Sequence, residues 1–589
     1  MNTVHVCLIP SGVHRGEVLV WDGNLFYYGV RFYQPWSIVN PYWPSPNPNY
    51  WPGQQPMPYQ YRFHNGLLQM PVVGGVLQGE LFCAGQCWMA DGRLLVCGGT
   101  ARYPIQTGGG WEGTKFVYLW DPVPVLPTDP FGKWWHMQLQ DLEVPRWYPT
   151  VTFNGTVDHR GIVIGGTHWT QSGGTQDVNS YEVVRPAFNV APPQLLAPPN
   201  DFDRKPTMTS PIWDLSLSSR RQYWGPAPAT NPHFGDYPRI HTLGILDSIT
   251  GGTAPRLFVS GFDAKGIQWA HDIARDPLFG SVGGQGFEIG QMPPGGDDAV
   301  RYCTSLLLPG LPGGISKKVA RIGGRRLPPS PGLPYTSNLV ETVMVNVIPP
   351  ATSTWLSTGP GSIPPMNHPR HYGNVVMLPT GELFAIGGEN ATGFNDTPEL
   401  LVGGTTWVDM APHLGARDYH SAAILLPDAR VFVCGGEWRK IAPIPGVFTG
   451  PQPGPDYLIW EPPYFYLSHG SVPATGITVR NVATSVIVSE QVLAPNGMAY
   501  GQTYRAEWTN TLEDGISIES VVLMRPAALT HHDDGGQRMV RLNAWDDGTP
   551  NTVVFQSPAS VLHAQQGWWM LFLVNSKGRP SQAYWVNLG

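Results

Sequence analysis

Aligning the repeated segments of this 589-residue chain on their hairpin turns produces one column of residues able to do chemistry. The column holds Phe82 and Cys83, Trp147 and Tyr148, Arg239, Arg301 and Tyr302, His371 and Tyr372, and Tyr419 and His420. A purely structural repeat would place small or apolar residues there. This one places a thiol, several phenols, imidazoles and guanidinium groups. Imidazole and phenolate together suit Cu(II) by donor type and by its tetragonal preference. A phenol can also lose one electron. A sulfur bonded ortho on that ring would lower its oxidation potential and stiffen it. Copper beside such a phenol could exchange two electrons, although copper alone cycles by one. Arg239, Arg301, Tyr302 and His371 are candidates for orienting a substrate; hydrogen bonding to neighbouring carbonyls is their simpler reading.

The elements that must position this column repeat seven times. The copies lie at 4–23, 82–99, 147–166, 238–261, 301–324, 370–388 and 417–436. Each has an apolar strand, a Pro/Asn/Asp/Gly turn and a second apolar strand, mostly ending in Gly-Gly or a close relative. The segments 115–122 and 458–465 read as third strands. This is the pattern of a kelch-type propeller blade. A small sheet cannot bury both faces alone, so such sheets stack radially until a ring closes. The expectation is an all-β protein with a seven-bladed propeller over 1–465. The aligned column then rings one mouth of the central channel, a natural place for a pocket. Seven copies average about 66 residues each against about 50 for a compact repeat, so long loops are expected at 34–72 and 186–236, with the Pro-rich stretch 451–455 in an outer loop. Beyond 465 the Gly-Gly endings stop. Short alternating stretches (GITVRN, SVIVSE, YRAEWT, IESVVLM, RMVRLN, TVVFQ, WWMLFLVN) predict a C-terminal immunoglobulin-like β-sandwich over 466–589.

Composition agrees. Charged residues are 13% of the chain, against roughly 25% on average, and 70 Gly with 61 Pro exclude long helices. A net charge of −7 offers no basic nucleic-acid footprint. No apolar run approaches the roughly 18–20 residues of a membrane helix, and no signal peptide is visible at the N-terminus. Neither nucleic-acid nor membrane partners are expected, and the chain is read as a monomer. Six cysteines are too few for a disulfide scaffold. Cys87, Cys97 and Cys434 fall inside strands and read as core, and His5 and His64 read as structural.

FCAGQCWMADGRLLVCGG, RWYPTV, RDYHSAAILLPDARVFVCGGE, THHDDGGQR and GWWMLFLVNSKGRPSQA resemble motifs of the copper radical oxidases, the galactose oxidase and glyoxal oxidase group, in the same order along the chain. The Arg-Trp-Tyr run at 146–148 is closer to the glyoxal oxidase branch. Galactose oxidase has an extra N-terminal carbohydrate-binding sandwich, whereas this sequence starts at the propeller pattern. The resemblance implies one copper ion held by Tyr148, Tyr419, His420 and a late histidine. His531 lies six residues before Gln537, the family spacing, and is preferred over His532; a loop of the second domain would thread into the channel to deliver it. Cys83 would form a self-processed thioether with Tyr148, the radical-bearing ligand. Tyr419 would take the substrate proton. His168, with Trp169 as the alternative, would stack on the modified tyrosine. The implied reaction oxidises a small aldehyde of the glyoxal type, or a primary alcohol, with O₂ as acceptor and H₂O₂ as product. No organic cofactor is expected, and a secreted or extracytoplasmic location is implied. The rival reading is a non-catalytic kelch propeller that binds a glycan or a protein.

Overall fold

The computed structural model describes residues 3–12, 14–22, 81–102, 108–122, 141–153, 161–171, 174–178, 181–184, 236–247, 253–260, 299–327, 333–345, 353–413, 415–436, 457–466, 471–490, 496–534 and 536–589. It also describes Pro104 and the short strands at 30–33, 54–55, 72–73, 76–77, 133–136, 187–188, 206–207, 268–272, 286–291 and 347–348. Most of the expected long loops, His64 and the stretch 451–455 lie outside the described residues. The fold is all-β. Among the described residues no helix is long and apolar enough to cross a membrane.

Each sequence copy forms its own antiparallel sheet, because two apolar runs joined by a turn pair first with each other. Thr3–Leu8 pairs with Val18–Asp22, Gly85–Trp88 with Leu94–Cys97, and Thr150–Phe153 with Gly161–Ile164. Ile240–Asp247 pairs with Thr253–Val259, and Thr304–Leu308 with Lys318–Ile322. Asn374–Met377 pairs with Leu383–Ile386, and Ser421–Leu425 with Val431–Gly435. Outer strands follow. Val117–Asp121 pairs with Leu94–Cys97, and Tyr457–Trp460 with Val431–Gly435. The expected third strand at 458–465 stops at Trp460, and Pro463–Phe465 makes a 3₁₀ turn instead. Two prolines, Pro462 and Pro463, remove the ladder donors there.

The first strands of the pairs are deeply enclosed. Gly85–Trp88, Thr150–Phe153, Thr304–Leu308, Asn374–Met377 and Ser421–Leu425 are buried at every residue. Neighbouring first strands pack side by side: 85–88 on 150–153, 150–153 on 240–247, 374–377 on 421–425, and 421–425 on 3–8. His241 Nε2 and Ser305 Oγ share a 2.7 Å hydrogen bond, and Thr304 Oγ1 donates to the Gly373 carbonyl at 2.6 Å. These two bonds link the fourth copy to the fifth and the fifth to the sixth.

Buried arginines lock the starts of these strands to the Gly-Gly endings. The Arg146 and Arg370 guanidinium groups each donate at 2.8 Å to the first glycine carbonyl of their own copy, Gly165 and Gly387. Their own carbonyls accept the amide of the preceding copy's second glycine, Gly99 and Gly324. Gly387 and Gly388 both have positive φ, and a Cβ on Gly388 would lie 2.7 Å from the His371 carbonyl oxygen. Only glycine lets the chain approach the column residues this closely. Arg146 ion-pairs with buried Glu182 at 2.8 Å. Glu182→Gln leaves that guanidinium without its counter-charge and is expected to lower the unfolding free energy by about 3–5 kcal/mol in urea titrations. Glu507→Gln, on a partly exposed pair at 3.6 Å, is expected to cost less than about 1 kcal/mol.

The C-terminal residues form two four-stranded antiparallel sheets. One orders 478–481, 503–507, 552–556 and 543–545; the other orders 539–541, 518–524, 567–575 and 584–588. Their facing residues, including Val479, Tyr504, Phe555, Leu523, Trp569 and Leu571, share one core. Alternation puts Val522, Met524, Met570 and Phe572 on the opposite face, in a core shared with Met377, Leu425 and Val6 of the repeated sheets. Two expectations are corrected. SVIVSE forms only an isolated bridge, Arg480 to Ile487, and leaves Val486 and Ile487 exposed. RMVRLN is divided at Leu542, so that Met539–Arg541 and Asn543–Trp545 serve different sheets.

Candidate metal centre

In six copies a residue one to three positions before the first strand has a left-handed backbone. These are Cys83 (φ 63°), Tyr148 (62°), Tyr237 (46°), Tyr302 (56°), Tyr372 (57°) and His420 (68°). Bulky side chains rarely adopt such φ values, and strain of this kind concentrates at functional sites. The kinks are tied to one another by backbone hydrogen bonds. Tyr148 N–H donates to Cys83 O at 3.0 Å, Tyr237 N–H to Tyr148 O at 2.7 Å, and Tyr372 N–H to Tyr302 O at 3.1 Å. The side chains gather as a result. Tyr302 lies 4.4 Å from Tyr372 by ring centroids, and Tyr372 lies 4.7 Å from Tyr419. Tyr419 lies 3.8 Å from His420, and the Tyr148 and Tyr419 hydroxyls share a hydrogen bond.

The C-terminal residues complete the cluster. Ala528–Thr530 leaves its own sandwich and pairs with Thr3–Leu8 as the innermost strand of the first sheet. Thr530 and Asp533 then exchange backbone hydrogen bonds around His531 and His532. Both histidines have positive φ, 47° and 64°, the signs of a type I′ turn that ordinarily favours Asn-Gly. The Gln-Arg pair explains the six-residue spacing. Gln537 donates to Val375 O at 3.1 Å and accepts from Met377 N–H at 2.6 Å, and Arg538 donates to Thr242 O at 3.2 Å. The turn is thereby fastened to the fourth and sixth copies.

His531 is 3% exposed and lies among the expected ligands: 4.6 Å from Tyr148, 5.5 Å from Tyr419 and 4.7 Å from His420 by ring centroids. Its Nδ1 shares a 2.8 Å hydrogen bond with Thr530 Oγ1, and its Nε2 faces Cys83 Sγ at 3.9 Å. Cys83 and Tyr148 share one buried cluster. The His532 ring lies against Tyr372 instead, at 5.6 Å.

Other expected site residues are placed differently. The ring stacked on Tyr148 belongs to Trp147, at 3.8 Å and 11°, and Trp111 stacks on Trp147 in turn. His168 was the expected stacking residue, but its Nδ1 accepts the Gly113 amide at 3.3 Å. Trp169 packs over Gly109 and Gly110. Both lie on the hairpin strand Thr167–Thr170. Arg239 is buried and donates to the carbonyls of Cys303, Tyr237 and His531, beside Asp533 at 3.4 Å. It therefore braces the histidine turn, and the aligned residue of its copy is Tyr237. Tyr237 stacks on Tyr148 at 4.7 Å and on His531 at 4.8 Å. The Tyr-Pro pair at 237–238 repeats the Tyr-Pro pair at 148–149, a signal that starting the copy at Pro238 passes over. His371 is half-buried against Thr336 and Glu389, next to Tyr372. Arg301 ends the strand Ala299–Arg301, one step before Tyr302.

Burial raises the Tyr148, Tyr419 and Tyr237 phenols well above their usual range, with the Cys83 thiol adding to each. Burial also lowers His531 and His532 well below theirs, and brings His420 and His5 to about 3. The imidazoles are thus neutral across the physiological range, the form that binds metal.

The family description "Galactose oxidase-like, Early set domain" matches residues 488–588. Galactose oxidase of Gibberella zeae is 31% identical over 221 residues, 36% of this chain and 28% of its own length. Aldehyde oxidase GLOX of Vitis pseudoreticulata is 28% identical over 239 residues, 37% of this chain and 41% of its own. Over these matched segments the chain is similar to the galactose oxidase and glyoxal oxidase family. The matched segments span less than half the length of these relatives. A solved structure described as a novel fungal alcohol oxidase with catalytic diversity among the AA5 family, in complex with copper, shares the fold of this galactose oxidase-like chain. Its TM-score is 0.61 at 17% identity, covering 100% of this chain and 97% of that one.

The donor set fits a copper ion. Two phenol oxygens meet, that of buried Tyr148 and that of half-buried Tyr419, two neutral imidazoles stand beside them, and Thr530 occupies His531 Nδ1 so that Nε2 is the nitrogen turned inward. Among the described residues no three His, Cys, Asp or Glu side chains form a metal-holding group. A metal held at this point would draw on the phenols, a donor type that suits Cu(II) better than zinc.

Proposed function

We propose that the chain is a mononuclear copper radical oxidase with a seven-bladed kelch-type propeller (1–465) and a C-terminal sandwich (466–589). The observation that carries this is the meeting of Tyr148, Tyr419, His420 and His531, from three distant parts of the chain, at one buried point beside Cys83. These four residues would hold the copper, and Cys83 would be bonded to the Tyr148 ring. Bound copper supplies a Lewis-acid position for the substrate oxygen and a second one-electron store. Tyr419 takes the substrate hydroxyl proton, and the oxidised Tyr148 phenoxyl takes a hydrogen atom from the substrate carbon. Trp147 and Tyr237 stack on the Tyr148 ring and hold it in place. Tyr302, Tyr372 and His371 shape the approach. The substrate is a small aldehyde of the glyoxal type, reacting as its hydrate, or a primary alcohol. O₂ is reduced to H₂O₂, and the protein works as a monomer outside the cytoplasm.

A peroxide-coupled screen of copper-loaded protein across small aldehydes, primary alcohols and sugars tests this. Peroxide with glyoxal-type aldehydes or primary alcohols is the expected result. Copper-loaded protein that yields peroxide with none of them would point to a binding module.

A further inference from the structure

We propose that His5 is a positioning residue for the cross-linking thiol, fixing the Cys83 turn against the strand that carries His531. This rests on the copper oxidase reading above. His5 lies outside the aligned column, on Thr3–Leu8, and is fully buried. Both ring nitrogens are engaged. Cys83 N–H donates to Nε2 at 3.2 Å, and Nδ1 lies 2.9 Å from Gln86 Oε1. A backbone N–H can meet only an acceptor nitrogen, so the ring proton sits on Nδ1 and is donated to Gln86. Gln86 is held in that orientation because its amide donates to Leu529 O at 3.0 Å and meets Cys7 Sγ at 3.3 Å. Trp21 stacks flat on the imidazole at 4.6 Å and 8°.

The arrangement has a specific consequence. Cys83 sits at a φ of 63°, and His5 Nε2 supplies an acceptor to its buried N–H. The rest of its turn is held as well: Thr100 Oγ1, just past the end of the same copy, donates to Phe82 O, and from other copies Tyr148 N–H donates to Cys83 O and Tyr237 Oη to Ala84 O. Leu529 lies two residues before His531. One imidazole–amide pair thereby couples the thiol turn to the strand that delivers His531, whose Nε2 stands 3.9 Å from Cys83 Sγ. The cross-link forms one bond, from Cys83 Sγ to the Tyr148 ring carbon ortho to the hydroxyl. It breaks the S–H bond and that ring C–H bond. Two electrons and two protons pass to O₂, giving H₂O₂, with copper required. His5 takes no part in the electron balance; it sets where the sulfur stands when the bond forms.

The test follows cross-linking in full-length, copper-free protein after addition of Cu(II) and O₂. Intact mass reports the loss of two hydrogens, and copper affinity is measured in parallel. His5→Phe keeps a ring on Trp21 and removes the acceptor; cross-linking about ten-fold slower at unchanged copper affinity is expected. His5→Gln returns an acceptor at the reach of Nε2 and is expected to recover most of the rate. If His5→Phe does not fold, Gln86→Leu serves, since it frees the imidazole to place its proton on Nε2 against Cys83 N–H; a rate several-fold below wild type is expected. Wild-type rates in His5→Phe, or in Gln86→Leu where that variant serves, would overturn the inference. Wild-type protein that binds copper and never cross-links would overturn the oxidase reading itself, and this inference with it.

Discussion

Tyr148→Phe is expected to reduce turnover by several orders of magnitude while copper still binds. The phenol is asked to do two things, to hold the metal and to store an oxidising equivalent. Only the first has substitutes, because Tyr419, His420 and His531 remain. The ring itself keeps its place: Trp147 at 3.8 Å and Tyr237 at 4.7 Å contact carbon that phenylalanine retains. Loss of activity therefore reports lost chemistry, not collapse of the site. Copper stoichiometry by atomic absorption, with peroxide release on the same sample, separates the two roles. Turnover that survives in Tyr148→Phe would place the radical elsewhere.

The two adjacent histidines are expected to behave oppositely. His531→Ala removes a donor among Tyr148, Tyr419 and His420 and is expected to weaken copper binding more than about 100-fold, since even outer hydrogen-bond partners of ligands cost 10–100-fold. His532→Asn suits the left-handed φ of 64° at that position and leaves the four donors intact; affinity within a few-fold of wild type is expected. Affinity in both variants and in wild type is expected to rise with pH. The direction follows from the buried phenols, which stay protonated at neutral pH and must release protons to bind the metal, whereas the neutral imidazoles release none. Competition titrations at several pH values read both effects. Equal losses in the two variants would remove the distinction between the two histidines.

Much of this centre is legible in the sequence because it lies on repeated elements. Tyr148, Tyr372 and His420 can be aligned because each follows an arginine whose carbonyl accepts the amide of the preceding copy's second glycine. The inserted histidine is legible through its distance to Gln537, which the structure explains by the bonds of Gln537 to Val375 and Met377. The stacking partner of Tyr148 is not legible. The left-handed turn at Tyr148 folds its own neighbour Trp147 onto it, and no periodicity reports a local reversal. Tyr237 is hidden because a proline separates it from the strand that defines its copy. The role of His5 depends on contacts to residues 81 and 78 positions away, Gln86 and Cys83. SVIVSE alternates as a strand should, yet no neighbouring sheet edge takes it up beyond one bridge.

Peptide mapping of protein exposed to Cu(II) and air tests the central claim most directly. A single tryptic species joining the Cys83 and Tyr148 peptides, lighter than their sum by two hydrogens, is the predicted result. Fully copper-loaded protein in which the two peptides stay separate would contradict it.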